Sequence, residues 1–167
     1  MKKLNEIIGF IGAGNMATAL ISGLINNGHE TSKIISSSPE KEHLEKLSRD
    51  FGVMTSTDNQ KVSEESDLII LAVKPNIIET VLSEIKETII EKNNLVISIA
   101  AGVKIKKIES FIGSSARIIR AMPNTPASIM QGVTAISSNE KVEETDIEKA
   151  KILFGSVGKT AEIKEKE

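Results

Sequence analysis

The chain of 167 residues contains no cysteine, no tryptophan and no tyrosine, and only two histidines. Without thiols there are no disulfides, no thiol nucleophile and no sulfur-ligated metal, and redox chemistry gives no hint of the compartment. His29 and His43 are too few nitrogen ligands for a zinc site, so no metal is expected. No apolar run approaches the roughly 20 residues that cross a bilayer. The opening Met1-Lys2-Lys3-Leu4-Asn5-Glu6 leads directly into a strand and has no secretory core, so the expected location is cytoplasmic. Charge of one sign is also lacking: 21 basic and 23 acidic residues leave a net charge of −2, which gives no general hold on nucleic acid or a membrane surface. With 40% hydrophobic and 26% charged residues the composition is that of an ordinary globular domain.

Within those bounds, short apolar runs alternate with amphipathic segments. Strands are expected at Ile7–Ile11, Lys33–Ser37, Val53–Thr55, Leu68–Val73, Leu95–Ile99, Arg117–Ala121 and Gly132–Ser137. Several are apolar on consecutive residues, as in strands covered on both faces. Helix ends are marked between them. Asn26-Asn27-Gly28 stops a helix over Met16–Ile25, and Ser38-Pro39-Glu40 reads as a cap, a first-position proline and a first-turn acid. Pro75 precedes a helix over Ile77–Ile90, and Asp146 is expected to cap Ile147–Phe154. The βαβ rhythm predicts an α/β fold: a doubly wound, mostly parallel sheet with helices on both faces, of the Rossmann type.

The stretch GFIGAGNMATAL carries the chemistry. Gly12-x-Gly14-x-x-Ala17 follows the first strand and opens the first helix, in the Ala-ended form of the dinucleotide fingerprint. Gly12 would make the tight turn, Gly14 would let pyrophosphate approach the backbone, and Ala17 would allow close packing of helix on strand. Free amides near Asn15 and Met16 would face phosphate oxygens. A bland strand-to-helix turn is the alternative.

The second strand bears on which dinucleotide. An acid about 20 residues past the motif binds the adenosine ribose of NAD. Here the strand ends in Ser36-Ser37-Ser38, with Glu40 displaced beyond Pro39. Serine hydroxyls and a helix N-terminus accept a 2′-phosphate that a carboxylate would repel, and Lys41 adds positive charge. NADPH is therefore the expected cofactor, with NADH as the alternative; equally, Ser38 simply caps its helix.

Three further loops should gather at the strand ends. Ala72-Val73-Lys74-Pro75 offers backbone and a lysine, which at a loop is more often solvated than catalytic. Ser98-Ile99-Ala100-Ala101-Gly102 has side chains small enough to admit a flat ring. Arg120-Ala121-Met122-Pro123-Asn124-Thr125-Pro126 is stiffened by two prolines, with Asn124 presenting an amide.

In order and spacing, GFIGAGNM, AVKP, SIAAGV and RAMPNTP resemble the pyrroline-5-carboxylate reductases. The resemblance extends over essentially the whole chain, and the last two blocks are its most specific part. It implies an NAD(P)H-dependent oxidoreductase that passes hydride to the C=N carbon of the small molecule pyrroline-5-carboxylate, giving proline in the last step of its biosynthesis. It further implies cofactor contacts from Ile11, Gly12, Ala13, Gly14, Asn15 and Met16, from Ser38 and Asn59, from Ala72, Val73, Lys74 and Pro75, and from Ile99, Ala100 and Ala101. Glu165 is the nearest match to an acid that faces the substrate in this family. No residue stands out as a proton donor or nucleophile, so no catalytic side chain is assigned. The resemblance implies residues 1–163 as the cofactor-binding domain and 164–167 as the start of a connection to a helical domain. That second domain, of roughly a hundred residues, a common domain size, would form the substrate loop and the homo-oligomer. Two alternatives stay open: a dinucleotide-binding regulatory module without catalysis, and a relative of the β-hydroxyacid dehydrogenases.

Overall fold

The computed structural model describes residues 3–123 and 132–165. Five parallel strands form its first half: β1 (Ile8–Ile11), β2 (Ile34–Ser37), β3 (Met54–Ser56), β4 (Leu68–Leu71) and β5 (Leu95–Ser98). β6 (Arg117–Pro123) extends them in parallel. β7 (Gly132–Ser138) runs antiparallel to β6, and β8 (Gly158–Glu162) runs parallel to β7. The sheet order is β3-β2-β1-β4-β5-β6-β7-β8, which reverses direction of growth between β1 and β4.

The consecutive apolar residues of the strands divide between two cores. Ile8, Phe10, Leu68, Ile70, Leu95 and Ile97 pack toward one side, under α1 (Asn15–Asn26), α2 (Lys41–Phe51) and α6 (Glu144–Gly155). Ile11, Ile69, Leu71 and Val96 pack toward the other, under α3 (Asn59–Glu65), α4 (Ile78–Lys92) and α5 (Ile105–Ile112). Burial on both faces is why these strands lack polar alternation, and the doubly wound expectation is met.

Several element ends differ from the sequence reading. The helix after Ser38-Pro39 begins at Lys41 with Glu40 in the cap position, because the Ser38 hydroxyl accepts the Glu40 amide at 3.0 Å and spends that turn outside the helix. Pro75 opens a 3₁₀ turn over Pro75–Ile77, and α4 starts one residue later than expected, at Ile78. Asp146 is not the cap of α6. Glu143 is, and Asp146 closes the capping box from three residues on by accepting the Glu143 amide at 3.0 Å. The strand expected to reach Val73 ends at Leu71, where the chain turns into a loop.

Candidate functional site

The first five strands end level with one another. Ser56, Ser37, Ile11, Leu71, Ser98 and Arg120 are register partners across β3, β2, β1, β4, β5 and β6. The Gly12, Ser38, Ala72 and Ile99 loops leave this row directly, while β6 runs on past Arg120 to Pro123. The strand order reverses between β1 and β4, so the Gly12 and Ala72 loops flank the crevice where open α/β sheets take ligands.

The two glycines of the first turn do different work. Gly12 has φ +116°, and a Cβ there would lie 2.2 Å from the Ala72 carbonyl oxygen. The Gly12 amide donates to the Ser37 carbonyl at 2.8 Å, and its carbonyl accepts the Ser36 hydroxyl at 2.9 Å. Glycine is thus required at position 12 by the fold itself. Gly14, the residue preceding α1, has φ −80°, and nothing lies within 4 Å of where its Cβ would be. Neither backbone strain nor crowding by this chain calls for glycine there. What remains is the open space in front of it, bounded by a helix start that no side chain caps and whose first turn carries no acid. Unpaired amides at such a terminus favour an anion. Ala17 is buried against the sheet, as its place in the motif requires.

At the end of β2 the structure revises the reading of the serines. Ser36 and Ser37 are completely buried. Ser36 donates to Gly12, and Ser37 donates to Asn59 Oδ1 at 2.6 Å. Both hydroxyls are therefore committed to holding the glycine turn and α3, and neither is free for a phosphate. Ser38 is also buried, and its oxygen accepts the Glu40 amide ahead of α2, so it closes the turn before the helix and does not cap it. Lys41 is exposed at the first residue of α2. Asn59 is the first residue of α3, which is capped by Asp58, whose side chain accepts from the Gln60 amide. The Asn59 side chain instead bridges Ser37 to α4, with its Nδ2 3.5 Å from Glu84 Oε1.

Past β4 the Ala72 amide donates to Ile11 at 2.8 Å, which fixes this loop to the glycine turn. Ala72 and Val73 are half-buried, while Lys74 and Pro75 are exposed. Past β5 the Ile99 amide donates to Leu71 at 3.1 Å and the Ala100 amide to Ser98 Oγ at 3.3 Å, leaving Ala101 and Gly102 exposed. Between these two loops lies a groove of about 720 Å³ lined by Pro75, Ile78, Gly102, Val103 and Phe111, among others. Of the stiff loop after β6, Arg120 to Pro123 belong to β6; Asn124, Thr125 and Pro126 lie outside the described residues. Glu165 is half-buried, and its carboxylate is engaged within the chain by the Ile105 amide and Arg120. Sequence reasoning had no signal for Arg120 as that partner, since the two are far apart along the chain.

Among the described residues no group of acidic or histidine side chains could hold a metal, and no helix is long and apolar enough to cross a membrane.

Comparison with known proteins places the whole arrangement. The chain is 35% identical over 158 residues to the pyrroline-5-carboxylate reductase of Vibrio alginolyticus, covering 95% of this chain and 58% of that protein. Its fold superposes on the pyrroline-5-carboxylate reductase of Coxiella burnetii with a TM-score of 0.94 at 36% identity, over 98% of this chain and 60% of the other. The Plasmodium falciparum pyrroline carboxylate reductase, solved with NADP bound, matches with a TM-score of 0.86 at 32% identity, again over 98% and 60%. The chain thus spans somewhat under two thirds of the length of these relatives, their N-terminal part. Residues 7–102, which run from β1 through the loop after β5, match the family described as "NADP oxidoreductase coenzyme F420-dependent", and with more than half of its length so matched the chain belongs to that family of nicotinamide-dinucleotide oxidoreductases.

Proposed function

We propose that this chain is the cofactor-binding domain of a pyrroline-5-carboxylate reductase and that its cofactor is NADPH. The observation that carries the reading is the space in front of Gly14: a glycine that the fold does not need, at an uncapped helix start, facing out of the crevice between β1 and β4. On this reading the backbone from Ile11 to Met16 holds the pyrophosphate. Ser38, Asn59 and Lys41 border the adenosine half. Ala72–Pro75 and Ile99–Ala101 border the nicotinamide half, with Glu165 at the substrate side behind them. Bound there, the cofactor supplies the hydride for an imine carbon, and the task of the protein is to orient the two rings and keep water out.

The choice of NADPH rests on a narrower base than the serine run offered, because Ser36 and Ser37 are spent on the fold. What supports it is the lack of an acid at the end of β2, the exposed Lys41 at the start of α2, and the NADP in the Plasmodium relative. A 2′-phosphate beside Lys41 gains a charge-assisted contact that NADH cannot make.

Reduction of pyrroline-5-carboxylate to proline belongs, on this proposal, to a whole protein of the length of the relatives, acting in the cytoplasm as a homo-oligomer. The chain covers 58–60% of those relatives, so residues 1–167 by themselves bind cofactor without appreciable turnover. Loss of substrate positioning alone removes many orders of magnitude from a rate. The test uses the emission of the reduced cofactor, since the chain has no Trp or Tyr. NADPH should bind about tenfold or more tighter than NADH, and Lys41→Glu should weaken NADPH more than NADH. Equal affinities, equally affected, would contradict the NADPH assignment. Comparable pyrroline-5-carboxylate turnover by this chain and by one extended to the length of the relatives would contradict the division of labour.

A further inference from the structure

The start of α5 is built against its own electrostatics. Its cap position is Lys104, whose side chain caps nothing, and its first turn contains Lys106 and Lys107 but no acid. The positive end of a helix dipole is destabilised by cations and stabilised by a carboxylate. The missing carboxylate arrives from the far end of the chain. Both oxygens of Glu165 accept from the Ile105 amide, at 3.2 and 3.1 Å, and Oε2 also meets Arg120 Nη1 at 3.0 Å. The Arg120 side chain is 10% exposed and that of Glu165 17%. Arg120 Nε has no partner among the described residues, so Glu165 is the counter-charge found there for a buried guanidinium.

The position of this clasp gives it a consequence. Arg120 is the register partner of Ser98, whose hydroxyl holds the Ala100 amide. Ile105 lies just past Gly102, which has φ +75° and no neighbour within 4 Å of its Cβ position. The loop Ile99–Lys104 is therefore held at its near end by Leu71 and Ser98 and at its far end by Glu165.

We infer that Glu165 is a positioning residue for the cofactor's nicotinamide half: by capping α5 from across the fold and pairing with Arg120, it fixes the far end of the loop that carries Ile99, Ala100 and Ala101. The inference rests on the cofactor reading above and adds to it a residue that acts through another element rather than by touching the ligand. It also explains how α5 can begin on three lysines.

The test separates the two halves of the cofactor. The 167-residue chain and its Glu165→Gln variant are titrated with NADPH and with adenosine 2′,5′-bisphosphate, which has the adenosine and its 2′-phosphate but no nicotinamide. Loosening one loop should raise the Kd for NADPH by about 5–10-fold and leave that for the bisphosphate unchanged. A second variant, Glu165→Gln with Arg120→Met, removes the stranded guanidinium. It should regain thermal stability while NADPH binding stays weak, because the α5 cap is still missing. Equal losses for both ligands, or no loss for either, would overturn the inference, as would full recovery of NADPH binding in the double variant. Failure of the unmodified chain to bind either ligand would instead overturn the cofactor reading, and this inference with it.

Discussion

Gly12 and Gly14 stand one residue apart and answer to different constraints. An alanine at 12 must adopt φ +116° and push against the Ala72 carbonyl. Gly12→Ala should therefore cost about 2–4 kcal/mol of stability, read by chemical denaturation; a loss below 1 kcal/mol would mean that the turn relaxes. The sequence motif singles out both glycines but cannot say which one serves the fold. The serines show the opposite limit. A hydroxyl at the end of β2 fits a phosphate or a backbone carbonyl equally well by type, and only the positions of Gly12 and Asn59 reveal that Ser36 and Ser37 are already engaged. A third residue-scale expectation concerns Glu6, paired with Lys149 at 2.8 Å. Burial opposes its ionisation, yet the hydrogen bond and charge of Lys149 outweigh this and hold its carboxyl below the ordinary 4.5. A lowered folded-state value stabilises the fold above the unfolded value, and the gain is lost as pH falls through the folded one. Glu6→Gln should then melt lower than wild type at neutral pH, with the gap closing as the pH falls through the lowered folded-state value. A difference that persists in acid would contradict the pairing.

At the scale of elements, what was legible followed local chemistry. The strands could be read because their buried residues run consecutively, and α1 because Asn27 and Gly28 stop it where expected. α5 was not read at all, although Ile105, Ile108 and Ile112 keep helical spacing and are buried. Its start signal is a carboxylate sixty positions away in the chain, which no local window contains. Likewise Gly9, passed over in the sequence, is where α3 meets β1. A Cβ there would lie 2.0 Å from Ser66 Oγ, so the helix can approach the strand only over a glycine. α6 supplies an element-scale prediction. Asp146 is 1% exposed, accepts the Glu143 amide and binds Arg117 Nη1 at 2.6 Å, tying the helix start to β6. Asp146→Ala opens the capping box and leaves the Arg117 guanidinium without its counter-charge, a loss of about 3–5 kcal/mol. Replacing both partners by apolar residues should restore much of that stability; if the double variant is no better than the single, the cost lies in the cap rather than the stranded charge.

At the scale of the whole molecule the sheet order and the row of strand ends bring scattered motifs to one edge. β1 to β6 bring Gly14, Ala72 and Ile99 to the same edge, and the reversal of order between β1 and β4 opens the crevice there. The alternating rhythm made this architecture legible. The antiparallel β7 was not foreseen as such, because the residues of a strand do not by themselves show which way it runs beside its neighbour. On the proposed reading, function at this scale divides between a cofactor half in this chain and the remaining length of its relatives, 58% of which the chain covers in the Vibrio protein. The central claim is that the edge at Gly14 holds a dinucleotide, and Gly14→Val tests it most directly. The backbone there is ordinary and nothing of the protein is in the way, so the variant should melt as wild type does. If pyrophosphate must approach that backbone, titration of NADPH by its own fluorescence should show saturable binding to the unmodified chain and affinity at least about 100-fold weaker in the variant. A folded Gly14→Val protein that binds NADPH as tightly as the original would contradict the account.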